Sequence, residues 1–241
     1  MAEVPRQGSG ATDEPVLRDV VFLVADSNMR TMIGTFLSRE DFHYKLNCAP
    51  FVFDRNRDFV VAPTHDSGIP LQAGALLQSR RREYERAIVV MDHAYDNAPP
   101  VEIIRKRISS QLEDVWPQFK IIVIEPELEN WFWSSHTEYI KKALVWKPRR
   151  GDERTPREVL EEAGLWLPGD PKPGDPKGAV EHLHKMKYIG DKSGGIFARF
   201  AATVPSVRGC TDASFQELMT TLADWFPADQ TQAYTTTEYA Q

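Results

Sequence analysis

Apolar residues in this chain gather into three short uninterrupted runs, and each run stops at an acid. Val20-Val21-Phe22-Leu23-Val24 leads through Ala25 to Asp26, Ala87-Ile88-Val89-Val90-Met91 leads to Asp92, and Lys120-Ile121-Ile122-Val123-Ile124 leads to Glu125. Continuous β-branched runs of this length predict strands covered on both faces, as in a parallel sheet. Between the runs the period changes to that of a helix. Met29, Met32, Ile33, Phe36 and Leu37 form one apolar stripe, with Ser27 as the expected N-cap. Val101, Ile104, Ile108, Leu112 and Val115 form a second, opened by Pro99-Pro100. Pro126, followed by Glu127 and Glu129, predicts a third helix start immediately after the last run. Strands alternating with amphipathic helices predict an α/β fold built as a doubly wound, mostly parallel sheet.

The pattern is weaker elsewhere. Phe51-Val52-Phe53 and Phe59-Val60-Val61 read as edge strands or as a hairpin around residues 54–57. Residues 63–70, PTHDSGIP, are dense in turn formers and predict a loop. A helix is expected after it, from about Leu71 to Glu83, with Arg80-Arg81-Arg82 as favourable charge at its C-terminus. From Lys147 to about Lys177 prolines and glycines interrupt the chain, apart from a short helix expected over 156–163. Helices over 177–187, 195–204 and 214–225 complete a C-terminal helical lobe. The expected organisation is a disordered leader over 1–17, an α/β domain over 18–146, a Pro-rich linker and helical lobe over 147–226, and a disordered tail over 227–241.

Composition narrows the function classes. A chain of 241 residues has ample length for a sizeable core, and its formal charge of −6 argues against a generally basic nucleic-acid binder. Cys48 and Cys210 form no CxxC pair, which predicts two free thiols in a reducing cytoplasm rather than a disulfide framework or zinc cluster. No stretch has the length of a membrane span, and the first residues lack the apolar core of a secretory signal.

The chemistry rests on carboxylates. If the three strands are parallel neighbours, Asp26, then Asp92 and Asp96, then Glu125, Glu127 and Glu129 converge at one edge of the sheet. Oxygen-only sets of this kind suit Mg²⁺ or Mn²⁺. Each acid taken singly also reads as an ordinary helix cap. His65 and His93 are candidates for proton transfer or phosphate contact, against a plain solvated loop histidine. The basic run Lys147, Arg149, Arg150, Arg154 and Arg157 reads either as a phosphate-tracking segment or as a solvated basic loop. Trp131-Phe132-Trp133 reads as core or interface.

His65-Asp66-Ser67-Gly68, the run from Ile88 to His93, and IEPELENWFWSS over 124–135 together resemble a group of bacterial Toprim-like proteins from anti-phage defence loci. Within it, the chain is similar to a component of the methylation-associated defence system. The likeness spans most of residues 18–226, including the Pro176-Lys177 helix start, and the PELExW-type segment is its most specific part. It implies a Toprim-like sheet in which a Glu after the first strand and a DxD after a later one hold Mg²⁺ for phosphoryl transfer. Here Asp26 stands where that Glu is expected and Ala94 replaces the second Asp of the DxD, leaving Asp96 or the acids of 125–129 as substitutes. The catalytic candidates are therefore Asp26, Asp92, His93, Glu127 and Glu129. The metal candidates are Asp26, Asp92, Asp96 and Glu125, and the nucleic-acid candidates are His65, Arg149 and Arg150. Expected partners are other proteins of the same defence locus, and DNA as the nucleic acid. Two function classes stay open: a metal-dependent nuclease, and a non-catalytic interaction subunit that kept the fold and lost the metal site.

Overall fold

The computed structural model describes residues 16–148, 150–190, 195–204 and 209–228. Residues 1–15 of the expected leader and 229–241 of the expected tail lie outside the described residues, as does Arg149. Four strands, β1 (Arg18–Val24), β2 (Phe59–Val61), β3 (Tyr84–Asp92) and β4 (Gln118–Ile124), form one all-parallel sheet in the order β2-β1-β3-β4. The helices are α1 (Ser27–Leu37), α2 (Phe42–Leu46), α3 (His65–Leu77), α4 (Val101–Leu112), α5 (Glu129–Trp133), α6 (Thr137–Leu144), α7 (Pro156–Glu162), α8 (Pro176–Lys185), α9 (Gly195–Thr203) and α10 (Ala213–Trp225).

Register follows the apolar runs. Val21 pairs with Ala87 and Phe22 with Ile88, and Val89 pairs in turn with Ile121, so the fully apolar segments lie side by side. Such strands need cover on both faces. Right-handed crossovers put α1 on one face and the adjacent α3 and α4 on the other. The face carrying α1 is completed from far along the chain. Met32, Phe36, Phe200, Val204, Phe215 and Leu222 of α1, α9–10 and the segment between them meet Trp131 around one small apolar gap. The C-terminal third is thus packed on the sheet, in one continuous core.

Several local expectations shift. The helix expected from Leu71 begins at His65, and a 3-10 turn over Gln78–Arg80 follows it, so the arginine triplet falls after α3. Its composition resembles a loop because Gly68 and Pro70 serve packing instead. A Cβ on Gly68 would stand 1.8 Å from Thr64 Oγ1, and Pro70 merely forgoes one intrahelical donor near the start. Residues 51–53 make no strand; Val52 N–H donates to Asp19 Oδ2 (2.6 Å) and Phe51 stacks on Phe226. Only β2 forms there, parallel to β1, and no hairpin exists. Asp26, not Ser27, caps α1. Pro126 follows a cis peptide bond and lies outside α5, since its carbonyl accepts the His93 and Ala94 amides at 3.1 and 2.9 Å. β4 closes the sheet edge, with its apolar half buried under α10 and the Ile121 carbonyl accepting from Arg105 Nη1 at 2.6 Å.

Candidate functional site

The chain runs from β1 outward to β2, then crosses back over β1 to β3. The crossovers therefore diverge between β1 and β3, and open parallel sheets bind ligands at the carboxyl ends of the strands flanking such a point. Asp26 follows β1 there and Asp92 ends β3. The other two strands add acids to the same edge: Asp66 after β2, and Glu127 and Glu129 after β4. Every strand of the sheet hands its chain to an acid.

Each carboxylate is placed by a backbone contact. Asp26 Oδ1 accepts the Asn28 and Met29 amides, both at 2.9 Å, as the N-cap of α1. Asp66, in the first turn of α3, accepts the Asp92 amide at 2.7 Å and so ties the end of β3 to the strand beyond β1. Glu127 Oε1 accepts the Lys177 amide at 2.9 Å. Asp92 Oδ1 is buried and has no hydrogen-bond partner. An open cleft of about 410 Å³ lies against these groups, lined by Asp26, Asn28, Asp92, Glu127, Glu129 and Lys177, with Val180 and Phe197 as an apolar wall.

The electrostatics follow from this crowding. Burial, and then the charges of Asp66, Glu129 and Asp26, push Asp92 well above the usual carboxylate range, partly offset by the Leu128 backbone N–H. Burial, and then Glu127, raise Glu129 to about 7. Asp66 is raised by burial, against the Asp92 amide it accepts, and Glu127 by burial, against the Lys177 amide. Like charges held this close in a poorly solvated cleft favour a proton or a cation.

The remaining candidates scatter. Glu125 lines a different polar cleft, of about 280 Å³, beside Arg105, Lys172 and Asp212. Its Oε1 lies 3.8 Å from His93 Nδ1, while His93 Nε2 is 3.0 Å from the Pro99 carbonyl oxygen. The metal set Asp26, Asp92, Asp96 and Glu125 is thus not brought to one place. Asp96 is exposed on the β3–α4 loop, His65 is exposed at the start of α3, and Arg150 is exposed. Of the basic run, Arg154 pairs with Asp152 and Glu162, and Arg157 with Glu161. Trp131 and Trp133 are each 1% exposed, so neither faces a partner; their indole N–H groups donate to Ser214 Oγ and to the Pro176 carbonyl, both at 2.9 Å. Asp66 and Lys177 stand in the sequence only as part of the HDSG segment and as a helix start, not as site candidates. Asp66 follows an apolar run as the others do, but its run is only three residues long. Nothing local signals that Lys177 reaches this edge.

Fold and site together define a parallel α/β protein with a carboxylate-lined cleft at its topological switch point. No protein-family model and no curated protein matches the chain. Among solved structures it is similar to the C-terminal region of the Burkholderia pseudomallei OLD protein, at 16% identity and a TM-score of 0.47, over 87% of this chain and 98% of that one.

Proposed function

We propose that this protein is a Toprim-like, metal-dependent nuclease whose working site is the acidic cleft between β1 and β3, acting on invading nucleic acid as a component of a bacterial anti-phage defence system. The observation that carries the reading is Asp92: a buried, unpartnered carboxylate oxygen at the switch point, among three further acids that each raise its pKa. A buried polar atom without a partner calls for an explanation, and a cation held in the cleft would supply one.

The donor set is all oxygen, which suits Mg²⁺ or Mn²⁺. Among the described residues no three acidic, imidazole or thiol groups stand in ligating geometry around one point. The fit is accordingly to an ion that keeps much of its own water, as Mg²⁺ does, with Asp92, Asp26 and Glu129 as its holders. Such an ion, when bound, neutralises charge on a phosphate and activates water. Glu129, raised to about 7 by burial and by Glu127, is a carboxyl that a bound cation would hold in its ionised, ligating form. Lys177 supplies a cationic side chain to the cleft lining, among acids that would repel a phosphate. Asp26 Oδ1 is committed to its helix cap, and Oδ2, with one long contact of 3.4 Å from Asn28 Nδ2, is the oxygen left for this task.

Calorimetric titration with Mn²⁺ and nicking of a supercoiled plasmid test the proposal. Binding and nicking are expected from the native chain, and both should disappear in Asp92→Asn, with the far-ultraviolet circular dichroism unchanged. A native protein that binds no Mn²⁺ would sink the reading.

A further inference from the structure

Two hydrogen bonds described above converge on a single peptide group. The Pro176 carbonyl accepts from Trp133 Nε1 at 2.9 Å, and the Lys177 amide donates to Glu127 Oε1 at 2.9 Å. These are the two polar ends of one peptide plane, in the first turn of α8. Both partners belong to the segment that follows β4. Glu127 is in the loop before α5, and Trp133 closes α5 itself, four residues after Glu129.

The first-turn amides of a helix have no intrahelical acceptor, so the Lys177 N–H depends on an outside group. Pro176 removes a donor where none is wanted and presets the backbone angle for entry into the helix. Trp133 is fixed in turn: 1% exposed, and packed edge-on against Trp166 with ring centroids 5.6 Å apart. Gly178 admits the Asp175 cap, since a Cβ there would stand 2.2 Å from Asp175 Oδ2. Little freedom is left to this turn.

We infer that Trp133 is a positioning residue of the acidic cleft: with Glu127 it brackets the Pro176–Lys177 peptide, and so fixes the turn from which Lys177 lines the cleft beside Glu127 and Glu129. Glu127 then serves mainly as a clamp, with one oxygen already committed to the bracket. The inference rests on the cleft being the working site, but the bracket itself can be read without turnover.

Trp133→Phe keeps an aromatic ring in the core but deletes the donor together with part of the buried indole volume, so the β1 and β3 amides serve as the packing control; Glu127→Ala deletes the other half from the surface side. Amide hydrogen exchange on the whole chain is expected to show Lys177 exchanging at least tenfold faster in each variant, with the amides of β1 and β3 unchanged. Unchanged exchange at Lys177 in both variants overturns the bracket. In Mn²⁺-dependent plasmid cleavage, Trp133→Phe should lower kcat with KM for DNA unchanged, and should add no further loss to Lys177→Ala. Losses that multiply in the double variant overturn the positioning role. If the native protein cleaves nothing with any divalent ion, the nuclease proposal falls, and the exchange result still decides the bracket.

Discussion

Asp92 and Glu129 show how one residue's surroundings set its chemistry. Both are carboxyl groups raised by burial and by their neighbours, Glu129 to about 7 against an ordinary 4.5. The folded state therefore holds protons that the unfolded chain releases. By linkage the Glu129 contribution to stability is present below about pH 4.5 and is lost as pH rises through about 7, and Asp92 acts in the same direction, the reverse of a salt-bridged carboxylate. Thermal melts from pH 5 to pH 8 without divalent metal should show the midpoint falling with pH. Glu129→Gln should flatten that slope and raise the midpoint at pH 8 by a few degrees, since about 1 kcal/mol corresponds to about 2–4 °C in a chain of this size. Added Mn²⁺ should act in the same direction on the native chain by mass action. A midpoint that does not move with pH would mean that these groups are solvated in the folded state.

At the scale of elements, the far end of the sheet is held by a buried ion pair. Asp58, 0% exposed just before β2, accepts from Arg18 Nε and Nη2 at the start of β1, both at 2.7 Å, and from the Tyr84 hydroxyl at the start of β3, at 3.0 Å. One carboxylate thus sets the stagger of three strands, and hence which residues reach their carboxyl ends together. Asp58→Ala would strip the Arg18 guanidinium and the Asp54 amide of their acceptor, while the Tyr84 hydroxyl keeps the Arg57 carbonyl at 3.0 Å, at a cost of about 3–5 kcal/mol. Urea unfolding with unchanged m and a lowered midpoint is the expected result. What the sequence revealed at this scale follows from the length of each signal. The runs at 20–24, 87–91 and 120–124 are long enough to declare strands. β2 has three residues, and its role as a sheet edge depends on pairing with β1, which no local pattern records. The start of α3 was hidden because Gly68 was selected for closeness to Thr64, and its glycine reads as a turn. Likewise the sequence placed acids at the strand ends, but which of Glu125, Glu127 and Glu129 face the cleft depends on the path of the Pro126 turn. That path is set by the amides of His93 and Ala94, on another loop.

Across the whole molecule, the cleft is assembled from both ends of the chain. Asp26 and Asp92 come from the strands, while Lys177, Val180 and Phe197 come from helices that the composition marks off behind a Pro-rich stretch. The boundary drawn by composition near residue 147 is not a boundary in packing. Trp131 donates to Ser214 and meets Phe215 edge-on, and Arg39 between α1 and α2 donates to the Ala201 and Val204 carbonyls. Arg105 of α4 and Lys120 of β4 share Glu217 of α10. Removing everything after Trp146 would strip α1, the lower half of β4 and the Trp131-Phe132-Trp133 cluster of cover. Each of those aromatics buries about 150–250 Å², far more exposed apolar surface than a monomer tolerates as a patch. The truncated chain is therefore expected to aggregate or to behave as a loosely packed state, with dye-accessible apolar surface and no cooperative melt. The full chain should melt in one calorimetric transition, its calorimetric and van't Hoff enthalpies agreeing. Two separable transitions in the full chain, or a cooperative melt in residues 16–146 alone, would show that the helical lobe is a domain of its own. Lys177 would then reach the cleft by docking between domains, and its distance from the acids would vary with that docking rather than be fixed by the core.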